Sequence, residues 1–126
     1  MLQVTCAIIE HNNEVLICQR SVTMKLPLKW EFPGGKVEQN ESKEDCLQRE
    51  IKEELGMIIS TGRALTPVVH YYPNFSLCLY PYICDWESGE LIPTEHKQAI
   101  WVVPSELLNY DWAEADLPIV GEYLNM

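Results

Sequence analysis

Residues 35–57 read GKVEQNESKEDCLQREIKEELGM and contain the clearest structural signal in the chain. From Ser42 to Leu55 it has no glycine or proline and is rich in glutamate, lysine, glutamine and leucine, which favours a helix. Asn40 or Ser42 can cap the start of this helix, and Gly56 is a natural stop. The segment therefore predicts one helix, preceded by a glycine-containing loop.

Acidic and apolar side chains occupy neighbouring faces of this predicted helix. At about 100° per residue, Glu50, Glu53 and Glu54 fall on a single arc. The neighbouring arc is apolar and contains Leu47, Ile51 and Leu55. Like charges at this spacing repel one another by roughly 0.2–0.5 kcal/mol per pair on an isolated helix. The acidic arc is either a solvated surface or a site for a hard divalent cation such as Mg²⁺, which takes oxygen ligands.

The rest of the chain predicts an α+β fold. Strands are expected over 2–10 and 14–20, joined by a turn at His11-Asn12-Asn13, and over 30–32, 63–72, 75–86 and 97–103. Gly34 and Gly35 predict the start of a loop, and Glu87-Ser88-Gly89 predicts a turn. Short helices are expected to open at Pro104 and Asp116. We expect one domain over residues 1–126, with helices packed against a mixed sheet.

Charge and cysteine usage narrow the class of protein. The formal net charge of −10 argues against binding to duplex nucleic acid, which depends on lysine and arginine, but is compatible with phosphates held through cations. Five cysteines without a C-x-x-C pair predict reduced core residues rather than a disulfide framework or a zinc site. No apolar run is long enough for a membrane span and no signal peptide is evident, so we expect a cytoplasmic protein. The sequence indicates no particular protein partner.

The spacing of charged residues carries a family resemblance. Gly35, five residues, Glu41, seven residues and then Arg49-Glu50-Ile51-Lys52-Glu53-Glu54-Leu55-Gly56-Met57 resemble the Nudix box at every fixed position. The segment 30–38 and Ala115-Asp116-Leu117-Pro118 are similar to segments of MutT-type members of this family. The resemblance covers the chain from its first strand to its last helix. It implies an α/β/α sandwich and hydrolysis of a nucleoside triphosphate with Mg²⁺, for which Mn²⁺ could substitute.

The resemblance also implies roles for individual residues. The expected metal ligands are the carbonyl of Gly34 and the side chains of Glu50, Glu53, Glu54 and Glu95, the last of which lies six residues before Trp101. Either Glu53 or Glu95 would accept the proton of the attacking water. Arg20 resembles a phosphate-contacting arginine. The residues expected to support the motif are Gly35, Glu41, Arg49 and Gly56, with Arg49 paired to Glu41 because its fork suits a bidentate contact.

The expected base pocket is formed by Phe32, Tyr72, Phe75 and Asp116, although core packing would equally explain the three aromatic residues. Asp116 stands where MutT has Asn, and Phe75 stands where it has a basic residue. The resemblance therefore leaves two substrates in balance: 8-oxo-dGTP, and (d)CTP with its oxidised forms. Either would imply sanitation of the nucleotide pool, in support of DNA repair. Two alternatives remain: a nucleotide-binding module with little turnover, and a Nudix pyrophosphatase acting on another nucleoside diphosphate derivative.

Overall fold

Eight strands form one mixed sheet in the computed structural model, which describes residues 1–126. The strands are β1 (Leu2–His11), β2 (Glu14–Gln19), β3 (Trp30–Glu31), β4 (Gly34–Lys36), β5 (Met57–Ala64), β6 (Val68–Tyr72), β7 (Phe75–Gly89) and β8 (Gln98–Val102). The central pair, β1 and β7, is parallel, and all other pairs are antiparallel. The predicted mixed sheet is confirmed.

The first hairpin turns at two asparagines, as the sequence predicts. Asn12 and Asn13 have φ angles of 51° and 63°, which are left-handed conformations that asparagine tolerates better than most residues. Two consecutive positive φ angles are typical of the tight turn that matches the twist of paired strands. This hairpin places β2 beside β1, the central strand of the sheet.

The predicted helix is present as α1 (Lys43–Leu55). The hydroxyl of Ser42 accepts a hydrogen bond from the N–H of Asp45 at 3.1 Å, so Ser42 is the N-cap. Gly56 ends the helix with a φ of 72°, and its N–H donates to the carbonyl of Lys52. The helix bounds and both termini therefore follow from local sequence.

Helices cover both faces of the sheet, which gives the expected α/β/α sandwich. Along β1 and β2, alternate side chains enter opposite cores. One core packs against the apolar arc of α1. The other packs against two 3-10 helices, Pro104–Asn109 and Glu114–Asp116, and against α2 (Leu117–Leu124). All five cysteines are buried and free, as predicted. None of the helices has the length and apolar character of a membrane span.

Three predicted boundaries are wrong. The expected strand 63–72 is two strands, because β5 starts directly after Gly56 and the chain leaves the ladder before Pro67, which has no N–H to donate. The expected turn at 87–89 is part of β7, where Ser88 and Gly89 continue to pair with β5. The expected loop at Gly34 and Gly35 is the short strand β4, which lies against β1.

Candidate active site

A cleft of about 310 Å³ opens at the end of the sheet where β3 and β4 meet α1. Its lining includes most of the residues that the sequence singled out: Arg20, Phe32, Gly34, Gly35, Glu54, Tyr72, Phe75 and Asp116. These residues come from five separate parts of the chain. One end of the cleft is acidic and the other is aromatic, so the two ends have different chemistry.

Glu54 is the buried carboxylate of the acidic end. Its Oε2 atom is inaccessible and has no hydrogen-bond partner. Burial, together with the charge of Glu50, raises the pKa of Glu54 to about 9, and Glu95 contributes to the same shift. A buried, unpartnered carboxylate oxygen among other carboxylates is unfavourable unless a proton or a cation neutralises it. The donor set therefore fits a divalent metal ion, which prefers oxygen ligands.

Arg49 holds the other two carboxylates of the acidic arc. Its Nη1 atom lies 2.8 Å from Oε1 of Glu50 and 3.3 Å from Oε2 of Glu53. No three acidic, histidine or cysteine side chains converge as a preformed metal cage. The side chain of Glu53 is 61% exposed and makes only this one long contact, so it is the least constrained of the three carboxylates.

Arg49 also forms the bidentate ion pair with Glu41 that the sequence predicts. Its Nε and Nη2 atoms lie 2.7 Å and 3.0 Å from the two carboxylate oxygens of Glu41. Nη2 donates further to the carbonyl of Lys36 at 3.2 Å. These contacts fix α1 to the loop that follows β4. They also lower the pKa of Glu41 to about 2, mainly through the hydrogen bond from Arg49.

Two glycines allow the chain to pass close to the acidic end. A Cβ atom on Gly34 would lie 1.9 Å from the carbonyl oxygen of Thr5, on the neighbouring strand. A Cβ atom on Gly35 would meet the side chain of Glu50 instead. Gly34 is thus needed for the pairing of β4 with β1, whereas Gly35 is needed for the position of one carboxylate.

The loop after β7 brings Glu95 to the same end of the cleft. The N–H of Thr94 donates to the carbonyl of Glu54 at 2.9 Å, which places the loop on the last turn of α1. Glu95 itself is exposed. Its neighbour His96 is buried and donates through Nε2 to Glu31 at 2.8 Å. The sequence assigned no role to His96 or Glu31, because neither the burial of one histidine nor its partner 65 positions away can be predicted from local pattern.

The aromatic end combines stacked rings with one buried carboxyl group. The rings of Tyr72 and Phe75 stack at 4.9 Å, and Phe32 packs against Trp112 at 4.8 Å. Asp116 accepts a hydrogen bond from the N–H of Phe32 at 3.0 Å. Burial raises the pKa of Asp116 well above its usual range, with the charge of Glu31 acting in the same direction. The carboxyl group can therefore be protonated, in which state it both donates and accepts.

One residue of this end has no counterpart in the sequence analysis. Lys25 lines the cleft, and its ammonium group lies 4.6 Å from the centre of the Phe75 ring. This is a cation–π geometry. No motif marks Lys25, since it lies in an irregular segment between β2 and β3. The sequence shows only that Lys25 is a second basic residue shortly after Arg20.

Sequence comparison agrees with this geometry. The family profile described as the NUDIX domain matches residues 1–123. CTP pyrophosphohydrolase of Escherichia coli K12 is 33% identical over 124 residues, which are 98% of this chain and 92% of that protein. 8-oxo-dGTP diphosphatase of the same strain is 28% identical over 122 residues, 96% of this chain and 95% of that protein.

Structure comparison gives the same family. The solution structure of the DNA mismatch repair protein MutT from methicillin-resistant Staphylococcus aureus 252 superposes with a TM-score of 0.77 at 40% identity. The superposition covers 98% of this chain and 95% of that one. The chain therefore belongs to the Nudix hydrolase family, whose members act on phosphoric anhydrides. It resembles members named for nucleoside triphosphate substrates.

Proposed function

We propose that this hydrolase is a Mg²⁺-dependent nucleoside triphosphate pyrophosphohydrolase, which releases a nucleoside monophosphate and pyrophosphate. The observation that carries the proposal is the buried, unpartnered carboxylate oxygen of Glu54 at one end of a cleft whose other end is aromatic. An acidic end suits phosphates that arrive with their cations, and an aromatic end suits a base. One cleft thus accommodates both halves of a nucleotide.

The acidic residues would hold the cation. We assign this role to Glu50, Glu53, Glu54 and Glu95, with the carbonyl of Gly34. When bound, Mg²⁺ or Mn²⁺ neutralises charge on the phosphate oxygens and lowers the pKa of a coordinated water. Glu53 or Glu95 would accept the proton of the attacking water, since both side chains are exposed to solvent. Arg20, which lines the cleft, contacts a phosphate group.

Asp116 would recognise the base. A protonated carboxyl group donates from one oxygen and accepts at the other, which matches the ring nitrogen and exocyclic amine of cytosine. We therefore propose (d)CTP and its oxidised forms as the preferred substrates, in line with the 33% identity to a CTP pyrophosphohydrolase. Phe32, Tyr72 and Phe75 supply the apolar surface around the base.

8-oxo-dGTP is the second candidate substrate. Its O6 and N7–H groups also form an acceptor and donor pair that suits a neutral carboxyl group, and one relative is named an 8-oxo-dGTP diphosphatase. With either substrate, the enzyme would act on free nucleotides in the cytoplasm rather than on duplex nucleic acid.

Because the cleft collects residues from Arg20 to Asp116, we regard residues 1–126 as one domain.

A nucleotide panel tests the proposal. Purified protein is incubated with Mg²⁺ and 8-oxo-dGTP, dGTP, CTP, dCTP or 5-hydroxy-dCTP, and monophosphate and pyrophosphate are separated by chromatography. We expect the highest kcat/KM with a cytosine nucleotide, because discrimination is read from that ratio. Activity on 8-oxo-dGTP alone would contradict the proposed preference for cytosine nucleotides and would favour 8-oxo-dGTP as the substrate. No turnover on any triphosphate would contradict the proposed reaction and favour a binding module.

A further inference from the structure

The ring of His96 lies beside the cleft with only 1% of its side chain exposed. Its Nε2 atom is 2.8 Å from Oε2 of Glu31. Its Nδ1 atom is buried and has no hydrogen-bond partner. An ionised carboxylate can only accept, so the proton is on Nε2. The ring therefore makes a single directed hydrogen bond.

Glu31 connects His96 to Arg20. Its other carboxylate oxygen, Oε1, lies 2.7 Å from Nη1 of Arg20. The Nε atom of Arg20 donates in addition to the carbonyl of Lys25. One carboxylate therefore orients both an arginine in the cleft and a histidine of the loop after β7. All three side chains line the cleft.

His96 is the buried anchor of a short loop segment that carries Glu95. On one side of this segment, the N–H of Thr94 donates to the carbonyl of Glu54 at 2.9 Å. On the other side, the N–H of Lys97 donates to the carbonyl of Gln19 at 2.9 Å. Both are backbone contacts that any sequence could make. Only the His96 ring ties the segment to a side chain inside the cleft.

Stability alone does not explain a histidine at this position. Its unpartnered Nδ1 atom is an unfavourable buried acceptor, and an apolar side chain of similar shape would avoid it. The feature that an apolar side chain cannot supply is the Nε2–H donor to Glu31. This points to a requirement for orientation rather than for packing.

We propose that His96 is a positioning residue that, through Glu31, fixes the loop bearing Glu95 relative to the guanidinium of Arg20. The inference rests on the proposed function, in which Glu95 binds metal and Arg20 binds phosphate. Replacement of a residue that orients metal ligands without touching the metal typically lowers metal affinity or activity by about 10–100-fold. We expect replacement of His96 to have an effect of this size.

The test compares two variants that both remove the ring. In His96→Gln the amide nitrogen reaches the position of Nε2 and can still donate to Glu31. In His96→Asn the amide lies near the position of Nδ1, out of reach of Glu31. We expect His96→Asn to lose kcat by about 10–100-fold and to raise KM for the triphosphate, and His96→Gln to retain most activity. Thermal melting checks that both variants fold.

A second readout is independent of turnover. Mn²⁺ binding without nucleotide, measured by water-proton relaxation, should weaken by about tenfold or more in His96→Asn but not in His96→Gln. If the two folded variants behave alike in kcat, KM and Mn²⁺ affinity, the inference is wrong. If the wild type hydrolyses no triphosphate, the proposed function fails, whereas the Mn²⁺ comparison still tests the role of His96.

If His96→Asn does not fold, a substitution of Glu31 tests the link between His96 and Arg20. Glu31→Gln still accepts a hydrogen bond from His96 but no longer forms an ion pair with Arg20. We expect a higher KM for the triphosphate with little change in Mn²⁺ affinity. An unchanged KM in a folded Glu31→Gln protein would contradict the proposed link between the histidine and the arginine.

Discussion

The side chain of Glu50 occupies the space that a Cβ atom on Gly35 would need. The added atom would lie 2.2 Å from Cδ and 2.6 Å from Cγ of Glu50. These atoms belong to the end of a flexible side chain, so they can move without a change in the backbone. A methyl group at position 35 therefore displaces a carboxylate and leaves the sheet intact.

Gly35→Ala should consequently reduce activity more than stability. We expect the Mg²⁺ concentration for half-maximal activity to rise by about tenfold or more, because a ligand is displaced. The melting temperature should stay close to that of the wild type. Gly121→Ala is the matched control, since a Cβ atom there meets nothing within 4 Å. An unchanged Mg²⁺ requirement in Gly35→Ala would contradict the placement of Glu50 in the metal site.

Gly34→Ala should, unlike Gly35→Ala, reduce the stability of the fold. Its Cβ atom would lie 1.9 Å from the carbonyl oxygen of Thr5 and 2.7 Å from Cα of Cys6, both of which belong to the backbone of β1. Overpacking of this kind costs about 1–3 kcal/mol. We expect a lower urea midpoint than in Gly121→Ala. Equal midpoints for the two variants would show that β4 can move away from β1 without a loss of stability.

The Glu41–Arg49 pair should support stability only above acidic pH. The pKa of Glu41 is about 2 in the folded chain and 4.5 ordinarily, so folding favours the ionised form. This contribution is fully present above about pH 4.5 and is lost as the pH falls toward 2. Urea unfolding of wild type and Glu41→Gln at pH 7, 5 and 3 should give a difference that shrinks at the lowest pH. A constant difference would mean that the charge of Glu41 is not involved.

Asp116→Asn should retain the choice of base if the carboxyl group acts in its neutral form. The amide oxygen can still accept from the N–H of Phe32, which now bonds to the carboxyl group at 3.0 Å, so the fold is retained. An amide presents one donor and one acceptor, as a protonated carboxyl group does, but it cannot ionise. We therefore expect the ratio of kcat/KM for dCTP to that for 8-oxo-dGTP to stay close to the wild-type ratio. A fall of about tenfold or more in that ratio would contradict recognition by a neutral carboxyl group, and a parallel fall for all nucleotides would indicate damage to the cleft.

Glu53→Gln tests the assignment of the base that accepts the proton. Loss of such a group costs about 10²–10⁴-fold in rate. The side chain is 61% exposed, so the variant should fold normally. Glu44→Gln, which removes an exposed carboxylate from the first turn of the same helix, is the control. Wild-type rates in folded Glu53→Gln would contradict both proposed roles of Glu53, as base and as metal ligand, and would leave Glu95 as the candidate base.

Local signals in the sequence account for much of the fold. A capping serine and a terminal glycine fixed the bounds of α1, and two asparagines fixed the first hairpin. Local sequence does not predict the break between β5 and β6 at Leu65–Pro67, nor the length of β7, because the bounds of a strand depend on the strand it pairs with. Pairing between β5 and β7 carries the chain through Glu87-Ser88-Gly89, although these residues alone favour a turn.

The candidate site was only partly predictable for a related reason. The motif residues lie within 23 positions, so spacing on one helix was sufficient to group them. Glu31 and His96 are 65 positions apart and meet only because β3 and the loop after β7 converge at one end of the sheet. Lys25 and Phe75 meet in the same way. Such pairs depend on topology, which a single sequence does not specify.

The loop that carries Glu95 completes the last turn of α1. The N–H groups of Ile92 and Thr94 donate to the carbonyls of Leu55 and Glu54, which would otherwise have no partner within the helix. The loop and the helix end should therefore open together, and these two amides should exchange with deuterium as slowly as those of a helix. Carboxylates from two distant parts of the chain would then behave as one rigid body, and fraying of that helix end would disperse them all at once.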